Sequence, residues 1–326
     1  NMIKHPTFPL LFILQGLAQS YFDQKRLYLA KSYSEKLENL IQAFYGEEAV
    51  VSLSAENFKL CAMIYTTLHK NEAAIKYYNK SAAILQKLGG NSEEFNLMEI
   101  YTSLASIYLR VDEFEFSESC MHKALPLLAK NDQDQLSCLV IGDVYNSMAI
   151  HCIEQRNSEK ARNHLLNALQ LYKQLPKTDD QMVLSNVAKT LKNLGYSSFS
   201  MEQYEQAERY YTHALPRFNR LEDWNELTKL MNEIGLIYQR NGEYYKAQGC
   251  HERAIMICEY HHLDIHTADM VYNLGHLQWR QGWKIKACDA FCQSLDKLLE
   301  VDPGSPLVIE IQEYLAIKPG PVLFST

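Results

Sequence analysis

Cysteine and histidine side chains lie close together in the stretch CEYHHLDIH. Cys258, His262 and His266 follow one another at intervals of four residues, so on one continuous helix they would share a face. A thiolate with imidazole nitrogens is a ligand set that suits zinc. The stretch spans a predicted join between two helices, however, and a fourth ligand is missing. We therefore predict no metal site; a zinc enzyme is the alternative that metal analysis would test.

The other cysteines also indicate structural roles. The eight cysteines include no C-x-x-C pair, and most lie in helical patterns, where a thiol acts as a small apolar group. Cys288 and Cys292 are four residues apart and are expected to be packing partners. In a chain of this length an even count of cysteines is weak support for disulfides. The sequence therefore favours a reducing, cytoplasmic compartment.

Catalytic and nucleotide-binding motifs are absent from the sequence. It contains no G-x-G-x-x-G, no G-x-x-x-x-G-K-[ST], no H-E-x-x-H and no G-x-S-x-G. Its carboxylates stand among Lys and Gln on helix faces, where water would solvate them. We predict no catalytic residue, no cofactor and no enzymatic activity.

Charge and hydropathy narrow the classes of partner. The 326 residues carry a formal net charge of −7, and no local run of Lys and Arg offers nucleic acid a basic surface. Three Trp and 21 Tyr could stack on bases, but helix packing explains most of them better. The apolar stretch at residues 8–18 is too short to span a membrane and is expected to be a buried first helix. The sequence predicts neither a nucleic-acid partner nor a membrane span.

Small residues recur through the chain at fixed steps. After Gly235 the next two follow at steps of 12 and 7 residues, as Ala247 and Ala254, and Gly275 is followed at the same steps. Seven units follow this spacing at intervals of 40 to 46 residues, and the first has Leu37 where its third small residue is expected. Their first small residues are Ala18, Ala62, Ala105, Ala149, Gly195, Gly235 and Gly275.

Each unit has the pattern of two helices joined by a tight turn. Large apolar residues recur at i, i+3, i+4 and i+7, which predicts an apolar stripe on a helix. A small residue lets two antiparallel helices approach closely and receives a bulky side chain from its neighbour. Gly242 and Gly282 fall where a first helix should stop, and glycine can adopt the left-handed conformation that ends a helix.

This pattern resembles the tetratricopeptide repeat. The G-x2-Y element of that family stands at Gly235–Tyr238, and its A-x3-F element stands at Ala287–Phe291. The spacing of 40 to 46 residues exceeds the basic period of 34 and implies longer helices. This longer form is similar to the repeats of kinesin light chain and of bacterial peptide-sensing regulators, a likeness strengthened by the NLG strings at 193–195 and 273–275.

The resemblance implies an all-α fold, a right-handed superhelical solenoid of about seven helical hairpins with a C-terminal capping helix. We expect the solenoid over residues 1–303 and the capping helix with a loose tail over 304–326. The repeats are expected at about residues 6–46, 49–90, 92–131, 134–176, 180–221, 223–262 and 264–302.

A peptide-binding groove is the site that the resemblance implies. In the family the first helices line a concave surface that binds an extended or helical peptide. An Asn side chain both donates and accepts hydrogen bonds, so it can pair with a peptide backbone. Kinesin-light-chain repeats suggest this role for Asn193 and Asn273, whereas Glu233 and Ser147 interrupt the series; alternatively the Asn side chains cap turns or face water. The predicted groove residues are Lys59, Asn146, Lys189, Lys192, Asn193, Tyr196, Asn232, Tyr272, Asn273 and His276.

The function that follows is a non-catalytic scaffold or adaptor in the cytoplasm that binds a peptide segment of a protein partner. One alternative is a bacterial receptor for a peptide signal. Such regulators usually place a helical bundle or DNA-binding domain before the repeats, whereas repeats here are expected from about residue 6. A secreted, host-directed effector with the same groove is the other alternative.

Overall fold

The computed structural model describes residues 8–44, 51–130, 135–175 and 180–316. Every regular element in these ranges is an α-helix, and fifteen helices follow one another. They are α1 (Phe8–Asp23), α2 (Leu27–Phe44), α3 (Val51–Thr67), α4 (Asn71–Leu88), α5 (Asn91–Arg110), α6 (Phe114–Lys130), α7 (Gln135–Glu154), α8 (Ser158–Gln174), α9 (Gln181–Ser200), α10 (Tyr204–Arg220), α11 (Trp224–Arg240), α12 (Tyr244–Tyr260), α13 (Asp264–Arg280), α14 (Lys284–Val301) and α15 (Pro306–Ala316).

Consecutive helices pack in pairs, so the predicted all-α fold of helical hairpins is confirmed. The turns inside the hairpins end the first helix with a residue in the left-handed region. Gly242 and Gly282 have φ values of 78° and 82°, as their sequence positions predicted. The equivalent turns of other hairpins place a residue with a side chain there, such as Asp112 with φ 63° and Glu202 with φ 58°.

Aromatic rings from the second helices fill the space that the small residues leave. A β-carbon added to Gly275 would lie 2.8 Å from the Phe291 ring, and one added to Gly235 would lie 2.8 Å from the His251 ring. Gly195 faces Tyr211 in the same way. These contacts confirm that the small residues mark close approach between paired helices.

Serines that replace alanine in the series have a second role. Ser81 and Ser294 lie on second helices and donate to the carbonyls of Ala55 and Ala268, at 2.7 and 2.8 Å. Both side chains are fully buried, so the hydrogen bond satisfies a hydroxyl that burial would otherwise leave without water.

The described residues form two compact units, residues 1–148 and 149–326, and the boundary falls inside α7. Each unit contains its own stacked helices and buried core. The predicted division into a solenoid at 1–303 and an end segment at 304–326 remains a prediction.

The helix α15 covers the apolar end of the second unit. Val308 and Ile311 are buried and join Phe291 and Leu298 in one core cluster. Burying these side chains removes the open edge that a stack of hairpins would otherwise expose. The expected capping helix is therefore present.

The first helix is less buried than the sequence suggested. Leu11, Leu14 and Ala18 of α1 are buried, but Phe12 is 62% exposed on the other side of the helix. The expectation of a buried first helix is correct for one face only, because α1 packs against α2 and α3 but has no described element on its other side.

One described helix, α7, is long and apolar enough to cross a bilayer by length and composition. Half of its most apolar stretch is buried inside the protein.

Candidate functional site

Eight of the ten predicted groove residues lie in the second unit, on the first helices of three successive hairpins. Four are on α9: Lys192 and Asn193 are adjacent, and Lys189 and Tyr196 stand three or four residues to either side of them, so all four share one side of the helix. We call the surface formed by the predicted residues of α9, α11 and α13 the first-helix surface; its other members are Asn232, Tyr272, Asn273 and His276.

Lys192 links α9 to α11. Its ammonium group donates to a carboxylate oxygen of Glu226 at 2.5 Å, and Lys229 lies 3.5 Å from the other carboxylate oxygen. Burial alone would raise the pKa of Glu226, but the hydrogen bond and charge of Lys192, together with Lys229, outweigh burial and lower it. Lys192 is thus engaged in holding two first helices together.

Two of the predicted asparagines bind each other. The amide nitrogen of Asn273 on α13 donates to the amide oxygen of Asn232 on α11 at 3.0 Å. Each amide keeps hydrogen-bonding capacity, because Asn232 still has donors and Asn273 still has an acceptor. The pair forms a polar bridge between successive first helices.

Glu233 follows Asn232 in the sequence and interrupts the asparagine series at the position equivalent to Asn193 and Asn273. Burial raises the pKa of its carboxyl group, and the charge of Lys192 opposes the rise only in part. A carboxyl group with a raised pKa is more readily a hydrogen-bond donor than a solvated one.

Asn193, Tyr196 and Lys189 form the open part of the first-helix surface. The Asn193 amide is half-buried and makes no hydrogen bond to other described residues. Tyr196 is 46% exposed one turn later, and Lys189 is exposed one turn earlier. An amide flanked by an aromatic ring and a cation can bind a peptide backbone and an adjacent apolar or acidic side chain.

Tyr272 and His276 instead face α15. Tyr272 is buried, its hydroxyl lies 2.7 Å from Nε2 of His276, and the His276 ring packs edge-on against Tyr314 at 4.7 Å between centroids. Burial lowers the pKa of His276, while Glu310 opposes this and Arg280 adds to it. The capping helix thus occupies the part of the surface that these two residues would offer to a ligand.

The remaining two predicted residues lie in the first unit. Lys59 of α3 donates to the Asn96 side chain at 2.8 Å and forms an ion pair with Glu99, both on α5. Asn146 is half-buried on α7 and has interactions of its own. Lys59 repeats the role of Lys192, since both stand three residues before the small residue of a first helix.

The candidate zinc ligands are separated by a helix break. The helix α12 ends at Tyr260, His262 has φ 55° in the turn, and α13 begins at Asp264, so Cys258 and His266 lie on different helices. Among the residues that the structure describes, no three His, Cys, Asp or Glu side chains are grouped to bind a metal. All eight cysteines lie in described helices as thiols, and Cys292 is exposed.

Acidic partners of the first-helix lysines were missed by the sequence argument. Glu226 stands nine residues before Gly235, and Glu99 stands six residues before Ala105, so no single offset marks them. The only signal in the sequence is that opposite charges lie on consecutive first helices.

Comparison of sequences identifies the repeat. The sequence model described as Tetratricopeptide repeat matches residues 140–220 and 186–255. No curated protein matches the chain.

Solved structures of repeat proteins share the fold at low sequence identity. The C-terminal part of a TPR repeat-containing protein from Cytophaga hutchinsonii has a TM-score of 0.60 at 14% identity, covering 91% of this chain and 98% of that one. The apo form of RapI has a TM-score of 0.52 at 15% identity, covering 94% and 98%. A Signal Transduction ATPase with Numerous Domains protein with a tetratricopeptide repeat sensor from Pyrococcus horikoshii has a TM-score of 0.56 at 18% identity, covering 96% of this chain and 50% of that one.

Proposed function

We propose that the second unit of the chain binds a peptide segment of a partner protein, because the tetratricopeptide repeat model matches residues 140–255 and this fold supports protein–protein interaction scaffolds. Binding takes place on the first-helix surface, at its open part around Asn193, and involves no catalysis. The observation that carries the proposal is the half-buried Asn193 amide, with no described partner, beside the exposed Tyr196 ring.

Each group of this open part has a stated role toward the peptide. Asn193 pairs with an N–H and a C=O of the peptide backbone, and Tyr196 packs against an apolar side chain. Lys189 attracts an acidic group, since its ammonium is exposed on the same side of α9. The polar bridges of Lys192 with Glu226 and of Asn232 with Asn273 keep α9, α11 and α13 in register beneath the ligand.

A protein partner in a reducing compartment fits the composition. The net charge of −7 opposes binding to nucleic acid, and the eight thiols are compatible with the cytoplasm. We therefore place the interaction between two proteins in the cytoplasm.

The test is a selection of phage-displayed random peptides of about twelve residues on the immobilised protein, a length that spans several first helices. Affinities of the selected peptides are then measured by fluorescence anisotropy. We expect Asn193→Ala with Tyr196→Ala to raise Kd roughly tenfold or more, because a backbone hydrogen bond and an aromatic contact are both lost.

The matched control replaces an exposed Asn and an exposed Tyr on second helices, Asn163→Ala with Tyr245→Ala. Both double variants should melt close to the wild type in circular dichroism. Equal binding by wild type, groove variant and control variant would remove the first-helix surface as the site.

A further inference from the structure

A groove lies on the opposite side of the second unit, between the second helices α8 and α10. It has a volume of about 910 Å³. Its floor is apolar, made by Val183, Val187 and Leu191 of α9 and by Leu169 of α8. An apolar floor of this extent between two helices is a place where a further apolar surface can be buried.

The rim of the groove is positively charged. Lys173 on α8 and Arg209 and Arg217 on α10 line it, and no Asp or Glu is among its described lining residues. Arg209 pairs with Glu205 one turn earlier, but both side chains are largely exposed, at 71% and 80%, and such pairs contribute little. The guanidinium group of Arg217 donates to the carbonyl of His213 on its own helix, so its charge is not neutralised by that contact.

This charge is a property of the groove and does not follow from the repeat. The equivalent gap between α12 and α14 is smaller, about 420 Å³, and its rim carries Glu252, Glu259 and Asp289 together with lysines. The whole chain is also acidic, with a net charge of −7. The rim of this groove therefore has cations and no carboxylates, unlike the rim between α12 and α14 and unlike the acidic protein as a whole.

Two arginines of α10, with a histidine between them, form a stripe. Arg209, His213 and Arg217 follow at intervals of four residues, so they lie along one side of the helix over about 12 Å. A compact anion would contact one of them. Carboxylates at i, i+4 and i+8 of a second helix lying alongside would meet all three, while the apolar side of that helix covers the floor.

We propose that this groove, hereafter the α8–α10 groove, binds an acidic amphipathic helix of a partner protein. Its apolar side chains contact the α9 floor, and its carboxylates pair with Arg209 and Arg217 on one side and Lys173 on the other. The groove is separate from the first-helix surface, so one chain can bind two partner segments at once. The charge complementarity identifies the occupant as acidic.

The test uses a phage-displayed library of helical peptides with Glu fixed at i, i+4 and i+8 and with the apolar positions randomised. Selected peptides are synthesised with a fluorophore, and their Kd for the full chain is measured by anisotropy. Two counterparts of each peptide are made, one with Lys for every Glu and one with the same residues in an order that has no apolar face. We expect both counterparts to bind at least about tenfold more weakly.

The protein variant is Arg209→Glu with Arg217→Glu, which should raise Kd at least about tenfold and reduce the dependence on salt. The double glutamine variant at the same positions is milder and keeps the test valid if charge reversal impairs folding. The matched control is Arg253→Glu, an exposed arginine on α12 at the repeat position of His213. It should leave Kd unchanged, as should a saturating peptide selected on the first-helix surface.

Four results would overturn the proposal. The first is a selection that yields no binding peptide, and the second is equal binding by the wild type and the double variant. The third is that dodecanoate, an apolar chain with a single carboxylate, binds through these arginines while no peptide binds. The fourth is self-association that the double variant abolishes while peptide binding is absent, because the occupant would then be a second copy of the chain.

Discussion

The imidazole of His251 fills a place that Tyr211 and Phe291 fill in the neighbouring hairpins, against the small residue of the first helix. The ring is fully buried, and neither of its nitrogens has a hydrogen-bond partner among the described residues. Burial lowers the pKa of His251 to about 4, so the ring is neutral at pH 7. Protonation therefore opposes folding.

The pH dependence of stability follows from this pKa. The unfolded chain binds the proton near pH 6.5, whereas the folded chain binds it only near pH 4, so stability falls as pH drops through this window and then levels off. Between pH 7 and pH 5 we expect the wild type to lose about 2 kcal/mol more unfolding free energy than His251→Phe. Urea unfolding at both pH values measures the difference.

The control for this prediction is His122→Gln, which changes an exposed histidine on α6 and should keep the wild-type slope. At pH 7 the His251→Phe protein should also be more stable, because the phenyl ring leaves no unsatisfied nitrogen. An identical loss of stability in wild type and His251→Phe would show that the buried imidazole does not control the acid response.

At the scale of the helices, the turn after α9 holds Glu202 in a backbone conformation that is unfavourable for a residue with a side chain. Glu202 has φ 58°, and the N–H of the following Gln203 donates to the Ser198 carbonyl at 2.9 Å, which closes the end of the helix. The equivalent residue in the turn of the next hairpin, α11–α12, is Gly242. A side chain in the left-handed region raises the energy of the folded state by roughly 1–2 kcal/mol.

Replacing Glu202 by Gly removes this penalty and should raise the unfolding free energy by up to about 1 kcal/mol. The gain is smaller than the penalty because glycine has more conformational freedom in the unfolded chain. Thermal melting followed by circular dichroism measures the gain. Glu202→Ala retains a β-carbon and loses the same carboxylate, so it should show no gain. A rise of equal size in both variants would assign the effect to charge.

The helices and their pairing could be predicted from sequence because they depend on local patterns. The steps from Gly235 to Ala247 and Ala254 identify close contacts that any helical hairpin needs, and Gly242 identifies a turn. The polar bridges could not be predicted, because Lys192 meets Glu226 only through the offset between two first helices.

The two binding surfaces differ in how far sequence could identify them. Asn193 was found through its position beside Gly195, but the burial of Tyr272 depends on where α15 packs, which no spacing encodes. The arginines of α10 have the spacing of an ordinary solvated helix face. Only the structure shows that they line a groove whose floor is formed by apolar residues of α9.

At the scale of the whole molecule, helix packing in the described residues joins sequence neighbours or alternate first helices, such as α11 with α13. In an array of this kind stability is close to a sum of hairpin and nearest-neighbour contributions. A local defect should therefore loosen its own hairpin and the adjacent ones and should leave distant hairpins protected.

Two glycines of the second unit allow this to be tested with one side chain. A β-carbon at Gly235 would lie 2.8 Å from the His251 ring, whereas one at Gly249 of α12 meets nothing within 4 Å. We expect Gly235→Leu to lower the unfolding free energy by roughly 1–3 kcal/mol through overpacking, and Gly249→Leu to leave it unchanged or raise it. In hydrogen-exchange mass spectrometry Gly235→Leu should speed exchange in α10 to α13 and leave α1 to α6 at the wild-type rate. A uniform loss of protection from α1 to α15 would instead mean that the chain opens as a single cooperative body, and nearest-neighbour packing would then not set its stability.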